Sequence, residues 1–160
     1  MDESVYDIIK VYLAQVHSAT KISEIICEHG NREELIGDDI ICGLVYRLMT
    51  PMSDEEIQDS LNTAEDFLND SDDCDDCDDC DEEEDNCDEL LITHEIPRKI
   101  KSNHCNCDIC CNVRVCLLNY QGYEPLDILA CRFKNSIQET CDKHKIFIWI
   151  TFIYLSSKFL

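Results

Sequence analysis

The sequence predicts a mainly helical α+β protein: an N-terminal helical bundle, an acidic disordered linker, and a small zinc-stabilised C-terminal module of knuckle, short strand and helix. Three observations predict this. Apolar residues recur at helical spacing through residues 1–69, residues 70–89 are almost wholly acidic, and "SNHCNCDICCNVRVC" packs five cysteines and a histidine into positions 102–116. A chain of 160 residues is long enough for one or two small domains. The boundaries expected are 1–69 for the helical domain, 70–92 for the linker, 93–145 for the zinc-binding module and 146–160 for a hydrophobic tail.

In the first segment Val5, Ile8, Ile9, Tyr12, Val16, Ala19, Ile22, Ile25 and Ile26 follow a helical period, and Gly30 suits a C-terminal cap. This predicts one long helix, or two broken near Ser18. A second helix over about 38–49 places Ile41, Leu44, Val45 and Leu48 on one face, and Pro51 ends it. The third opens with Ser53 and Glu56 in capping-box spacing and turns Ile57, Leu61, Ala64 and Leu68 inward. Short connections between amphipathic helices imply a bundle.

The linker follows from composition. Of residues 70–89, 14 of 20 are acidic, none is basic, and only cysteines could contribute apolar surface. Such a stretch cannot bury enough area to offset chain entropy, which predicts an extended, disordered tether. Three "DDC" triplets place Cys74, Cys77 and Cys80 at intervals of three. They read as a flexible trap for a soft metal or as simple repetition of a short unit. Repetition carries more weight, because it generates the spacing without ligand geometry and because neighbouring anions disfavour the thiolate.

The C-terminal module carries the chemistry. Cys107 and Cys110 in "CDIC" have the spacing that lets one turn aim two sulfurs at one ion. "NVRVCLL" then reads as a strand, "GYEP" as a turn and residues 126–145 as a helix. On that helix Leu126, Leu129, Ala130, Phe133, Ile137, Cys141 and His144 form one stripe. The ligands expected are therefore Cys107, Cys110, Cys141 and His144, holding a structural Zn2+ with three sulfurs and one nitrogen. His104 and Cys105 stand in reserve, as replacements or as supports. Cys116 and Cys131 read as packing residues, Cys111 as pointing away, and Cys27 and Cys42 as belonging to the first domain. His17, His29 and His94 fit no ligand spacing and read as surface or satisfied polar groups. At about 50 residues the module's own core is marginal, whereas structural zinc can contribute on the order of 10 kcal/mol.

Four protein ligands leave no open position for water or substrate, which argues against metal catalysis. No Walker, dinucleotide or deaminase pattern is present, and no cysteine and histidine pair stands out as nucleophile and base. The run "IFIWITFIYL" is too short to span a bilayer and reads as a buried strand, for which "VRVCLL" is a candidate partner, with a short membrane-associating tail as the minority reading. The acidic start lacks a secretion signal, and 13 cysteines, an odd number, favour free thiols or metal ligands in a reducing intracellular compartment.

"HCNCDIC", "CDKH" and the aspartate-rich repeat together resemble small zinc-binding proteins of large nucleocytoplasmic DNA viruses. The resemblance implies the cytoplasm or nucleus of an infected cell, or the virion, and it transfers no activity.

Charge separates two functional expectations. Residues 1–92 hold 4 basic against 29 acidic side chains, and residues 93–145 hold 8 against 6. The first expectation is a non-enzymatic adaptor whose acidic linker engages basic proteins such as histones or nucleic-acid-binding factors. The alternative is a nucleic-acid-binding regulator that contacts phosphates through Arg98, Lys99, Lys101, Arg114, Arg132, Lys134, Lys143 and Lys145.

Overall fold

A computed structural model describes residues 3–70 and 96–148. The linker, with Cys74, Cys77 and Cys80, lies outside the described residues except at its first position, as does most of the hydrophobic tail. Five helices and two very short strands follow one another: α1 (Glu3–His29), α2 (Gly37–Met49), α3 (Asp54–Asp70), β1 (Arg98–Lys99), α4 (Asp108–Asn119), α5 (Ile128–Lys143) and β2 (Ile146–Phe147).

The N-terminal helices form where their sequence signals place them, but Ile57, expected inward on α3, is exposed, as are Val5 and Ile8 on α1. α1 runs unbroken through Ser18, whose side chain is buried. Gly30 and Asn31 end it, with Asn31 at φ 52°, a left-handed conformation that asparagine tolerates. At the head of α3, Ser53 Oγ accepts the Glu56 N–H at 3.3 Å, and Glu56 Oε2 accepts the Ser53 N–H at 2.8 Å. That reciprocal pair is the capping box the sequence spelled. Salt bridges Lys10–Glu65 and Lys21–Asp59 join the outer faces of α1 and α3.

The sequence and the structure part at residues 108–119. "NVRVCLL" is helical, inside α4, and not a strand. Val113, Cys116, Leu117 and Tyr120 lie three, four and seven positions apart and are all buried, so the segment carried a helical period beneath its β-branched composition. Strand propensity gave way to this packing, as it does where tertiary contacts decide. The tail therefore has no "VRVCLL" strand to join. Its first residues form β2, which pairs in parallel with β1 in the register Arg98↔Ile146 and Lys99↔Phe147. Parallel strands need a long crossover, and α4 and α5 supply it.

One core runs through both halves of the chain. Ile22, Ile26, Ile41, Val45 and Leu48 from α1 and α2 join Val113, Leu117, Tyr120, Phe133, Ile137 and Ile148 in a single buried cluster. Tyr12 meets Phe133 edge to face at 5.5 Å between centroids, and Tyr123 donates to the Leu48 carbonyl at 3.1 Å. The C-terminal helices therefore do not depend on a core of about 50 residues of their own. Two buried aspartates at the start of α2 finish the assembly: Asp39 pairs with Arg32, and Asp38 with Arg98 of β1. Among the described residues no helix is long and apolar enough to cross a membrane.

Candidate metal centre

The end of α1 and the beginning of α4 meet at one edge of the molecule. His29 occupies the last turn of α1. Cys107 is the N-cap of α4, where serine or aspartate usually sits, and its sulfur accepts the Cys110 N–H at 3.4 Å. Two residues earlier, the sulfur of Cys105 accepts the Cys107 N–H at 3.4 Å. His29 Nδ1 lies 3.1 Å from Cys107 Sγ, 3.5 Å from Cys110 Sγ and 3.7 Å from Cys105 Sγ. All four ligand atoms fall within 4.8 Å of one another, so three sulfurs and one nitrogen could hold a metal ion.

Local chemistry explains why the cysteines converge. Cap and third helical position project side chains over the same helix end, where unpaired N–H groups and the helix dipole favour negative charge. Hydrogen bonding from the Cys110 N–H brings the Cys107 thiol down to about 7, which favours the thiolate. Burial acts the other way on Cys110, which is 2% exposed, and pushes its thiol up to about 11. Asn103 ties the parts together. Its Nδ2 donates to the Ile26 carbonyl at 2.9 Å and to Cys110 Sγ at 3.3 Å, while its Oδ1 accepts the Cys105 N–H at 3.2 Å.

Of the four ligands read from the sequence, the structure brings together Cys107 and Cys110. It adds Cys105 from the reserve and leaves His104, the other reserve, exposed and outside the cluster. Cys141 and His144 do not join it. Cys141 continues the buried face of α5, as its helical stripe indicated, but that face meets the apolar core rather than the knuckle. Its side chain is fully buried, and desolvation raises the thiol to about 11. His144 is exposed at the C-cap of α5, where its backbone N–H donates to Thr140 and Asp142 carbonyls. The fourth member of the cluster is instead His29, which the sequence reading set aside as a surface or satisfied polar group. No local spacing could have revealed it, since 76 positions separate it from Cys105.

The other thiols among the described residues lie outside the cluster. Cys42 and Cys116 pack in the core, Cys27 donates to the Arg32 and Glu34 carbonyls, and Cys111 accepts from Arg114 at 3.2 Å. Cys131 is exposed on α5 rather than packed. Comparison with known proteins finds no matching family model, no matching curated protein and no matching solved structure.

Proposed function

We propose that this chain is a non-enzymatic zinc-binding interaction protein whose acidic segment engages basic partner proteins in a reducing compartment. The observation that carries the metal half is the clustering of His29, Cys105, Cys107 and Cys110. Zinc bound tetrahedrally at about 2.3 Å from sulfur and about 2.0 Å from nitrogen sets each sulfur about 3.5 Å from the nitrogen. The three distances here, 3.1, 3.5 and 3.7 Å, bracket that value. Soft thiolates with one imidazole suit zinc better than calcium or magnesium, which prefer oxygen. Because the protein supplies all four ligands, the ion has no open position at which to activate water. Zinc would fasten the end of α1 to the start of α4.

The interaction half rests on charge. Residues 70–89 carry 14 acidic side chains and no basic one, and they run from the last residue of α3 toward β1 in a chain with net charge −22. Such a segment attracts basic proteins and repels nucleic acid. Arg98, Arg114 and Lys134, all expected to contact phosphate, are engaged internally, which favours the adaptor over the nucleic-acid reading. Arg98 bonds Asp38, Arg114 bonds the Asn103 and Cys105 carbonyls, and Lys134 bonds the Tyr123 carbonyl.

Two measurements test the proposal. Elemental analysis of reduced, purified protein is expected to find one zinc per chain. Binding to a basic protein such as a histone is expected to weaken as salt rises, and to weaken further when the aspartates of 70–89 become asparagine. Binding that ignores both changes would remove the acidic segment from the mechanism, and retardation of DNA or RNA by the protein would favour the regulator.

A further inference from the structure

A zinc ion between two helix ends can act in either of two ways. It can be the staple on which folding depends, as in small zinc modules that are unfolded without metal, or it can be a cargo that enters and leaves a site the protein holds ready. Three features distinguish these, and none runs through an ion.

The first is the core. Val113, Leu117, Tyr120, Phe133 and Ile137 pack with residues of α1 and α2 in one cluster, so α4 and α5 are held by apolar burial remote from the sulfurs.

The second is the loop that carries Cys105 and Cys107. Asp38, 2% exposed, accepts from the Lys101 backbone N–H at 2.8 Å and from the Arg98 guanidinium at 2.7 and 2.9 Å, pinning the loop's entry. Arg114 donates to the Asn103 carbonyl at 3.0 Å and to the Cys105 carbonyl at 2.8 Å, pinning its middle. Asn103 adds its three bonds, to α1 at Ile26, to the Cys105 backbone and to the Cys110 sulfur. Protein groups alone thus fix where all three cysteines sit.

The third feature is access. His29 is exposed, Cys105 and Cys107 are half-buried, and only Cys110 is buried. An open depression of about 730 Å³, lined by His29, Gly30, Arg32, Lys101, Asn103 and Cys105, reaches the histidine face of the cluster. A competing ligand can approach His29 and Cys105 there.

We infer that the centre is an exchangeable zinc site, which the folded chain fills from and empties to small chelating or thiol ligands, with Asn103 as the positioning residue that keeps it assembled. This rests on the zinc reading above. The exchange itself breaks and forms only metal–ligand bonds: the incoming donors replace the imidazole and the thiolates, which take up protons as the ion leaves. Neither oxidant nor reductant is required.

The test uses the full chain, reduced and loaded with one equivalent of zinc. EDTA is added, zinc release is followed with a chromogenic indicator, and far-ultraviolet circular dichroism is recorded on the same sample before zinc is returned. The expected result is complete release with helical ellipticity unchanged, and refilling to one equivalent without a refolding step. Loss of ellipticity together with zinc would overturn exchangeability while leaving the metal assignment intact. Failure of the loaded chain to retain any zinc would overturn both. For the positioning role, Asn103→Ala is expected to weaken zinc binding about 10–100-fold with the helices retained, and to shift the absorption spectrum of the cobalt-substituted site. An Asn103→Ala chain with unchanged affinity and cobalt spectrum would show that Asn103 does not position the ligands.

Discussion

At the scale of single residues, the separation between Cys107 and Cys110 gives the centre its pH response. Cys107 is depressed to about 7 by the N–H groups at the head of α4, whereas burial raises Cys110 to about 11. A thiol whose folded value is lowered contributes stability at alkaline pH, and that contribution is lost as pH falls through about 7. Metal binding displaces protons from whichever thiols still hold them. Apparent zinc affinity is therefore expected to rise with pH, and to fall more steeply below about 7, where Cys107 also carries a proton. Competition titrations with a chromogenic chelator between pH 6 and pH 9 would check this, and a flat profile would contradict it. The same scale shows what the sequence could and could not reveal. Cys107 and Cys110 were legible because two positions of one helix end speak to each other locally, and Cys105 lay close enough to be held in reserve. His29 was not legible, because its partnership is made by α1 and α4 meeting in space. Cys141 lay on the correct helix face, but periodicity says only that a residue turns inward. It does not say whether apolar side chains or ligands wait there.

At the scale of elements, most boundaries followed from caps and breakers, and the misread α4 shows where such signals fail. Ser53 and Glu56 marked the head of α3, and Pro51 stood just beyond α2. α4 announced no glycine, proline or serine at its start. Its cap is a cysteine, whose apparent role as a metal ligand hid its role in helix initiation. A tighter constraint lies between α1 and α2. A Cβ on Gly43 would overlap Ser23 Oγ and the Ala19 carbonyl, which are themselves hydrogen-bonded at 2.9 Å. Alanine is ordinarily better than glycine inside a helix by about 1 kcal/mol. Here overpacking of a buried helix crossing, at about 1–3 kcal/mol, should win. Gly43→Ala is accordingly expected to lower the midpoint of denaturant unfolding, and an increase would mean that α1 and α2 can separate without penalty.

At the scale of the whole molecule, α1, α2, α4 and α5 feed one apolar cluster, with the candidate centre at its rim. The long acidic segment leaves α3 and the chain re-enters at β1, next to Asp38 and the loop that carries the cysteines.

The central claim is that His29, Cys105, Cys107 and Cys110 hold the ion, and native mass spectrometry of the reduced, zinc-loaded protein tests it most directly. One zinc per chain is predicted for the parent and for Cys141→Ala and His144→Ala, with occupancy reduced in His29→Ala and abolished in the double variant Cys107→Ala with Cys110→Ala. Zinc that persists in His29→Ala at parental occupancy but disappears with His144→Ala would contradict the account.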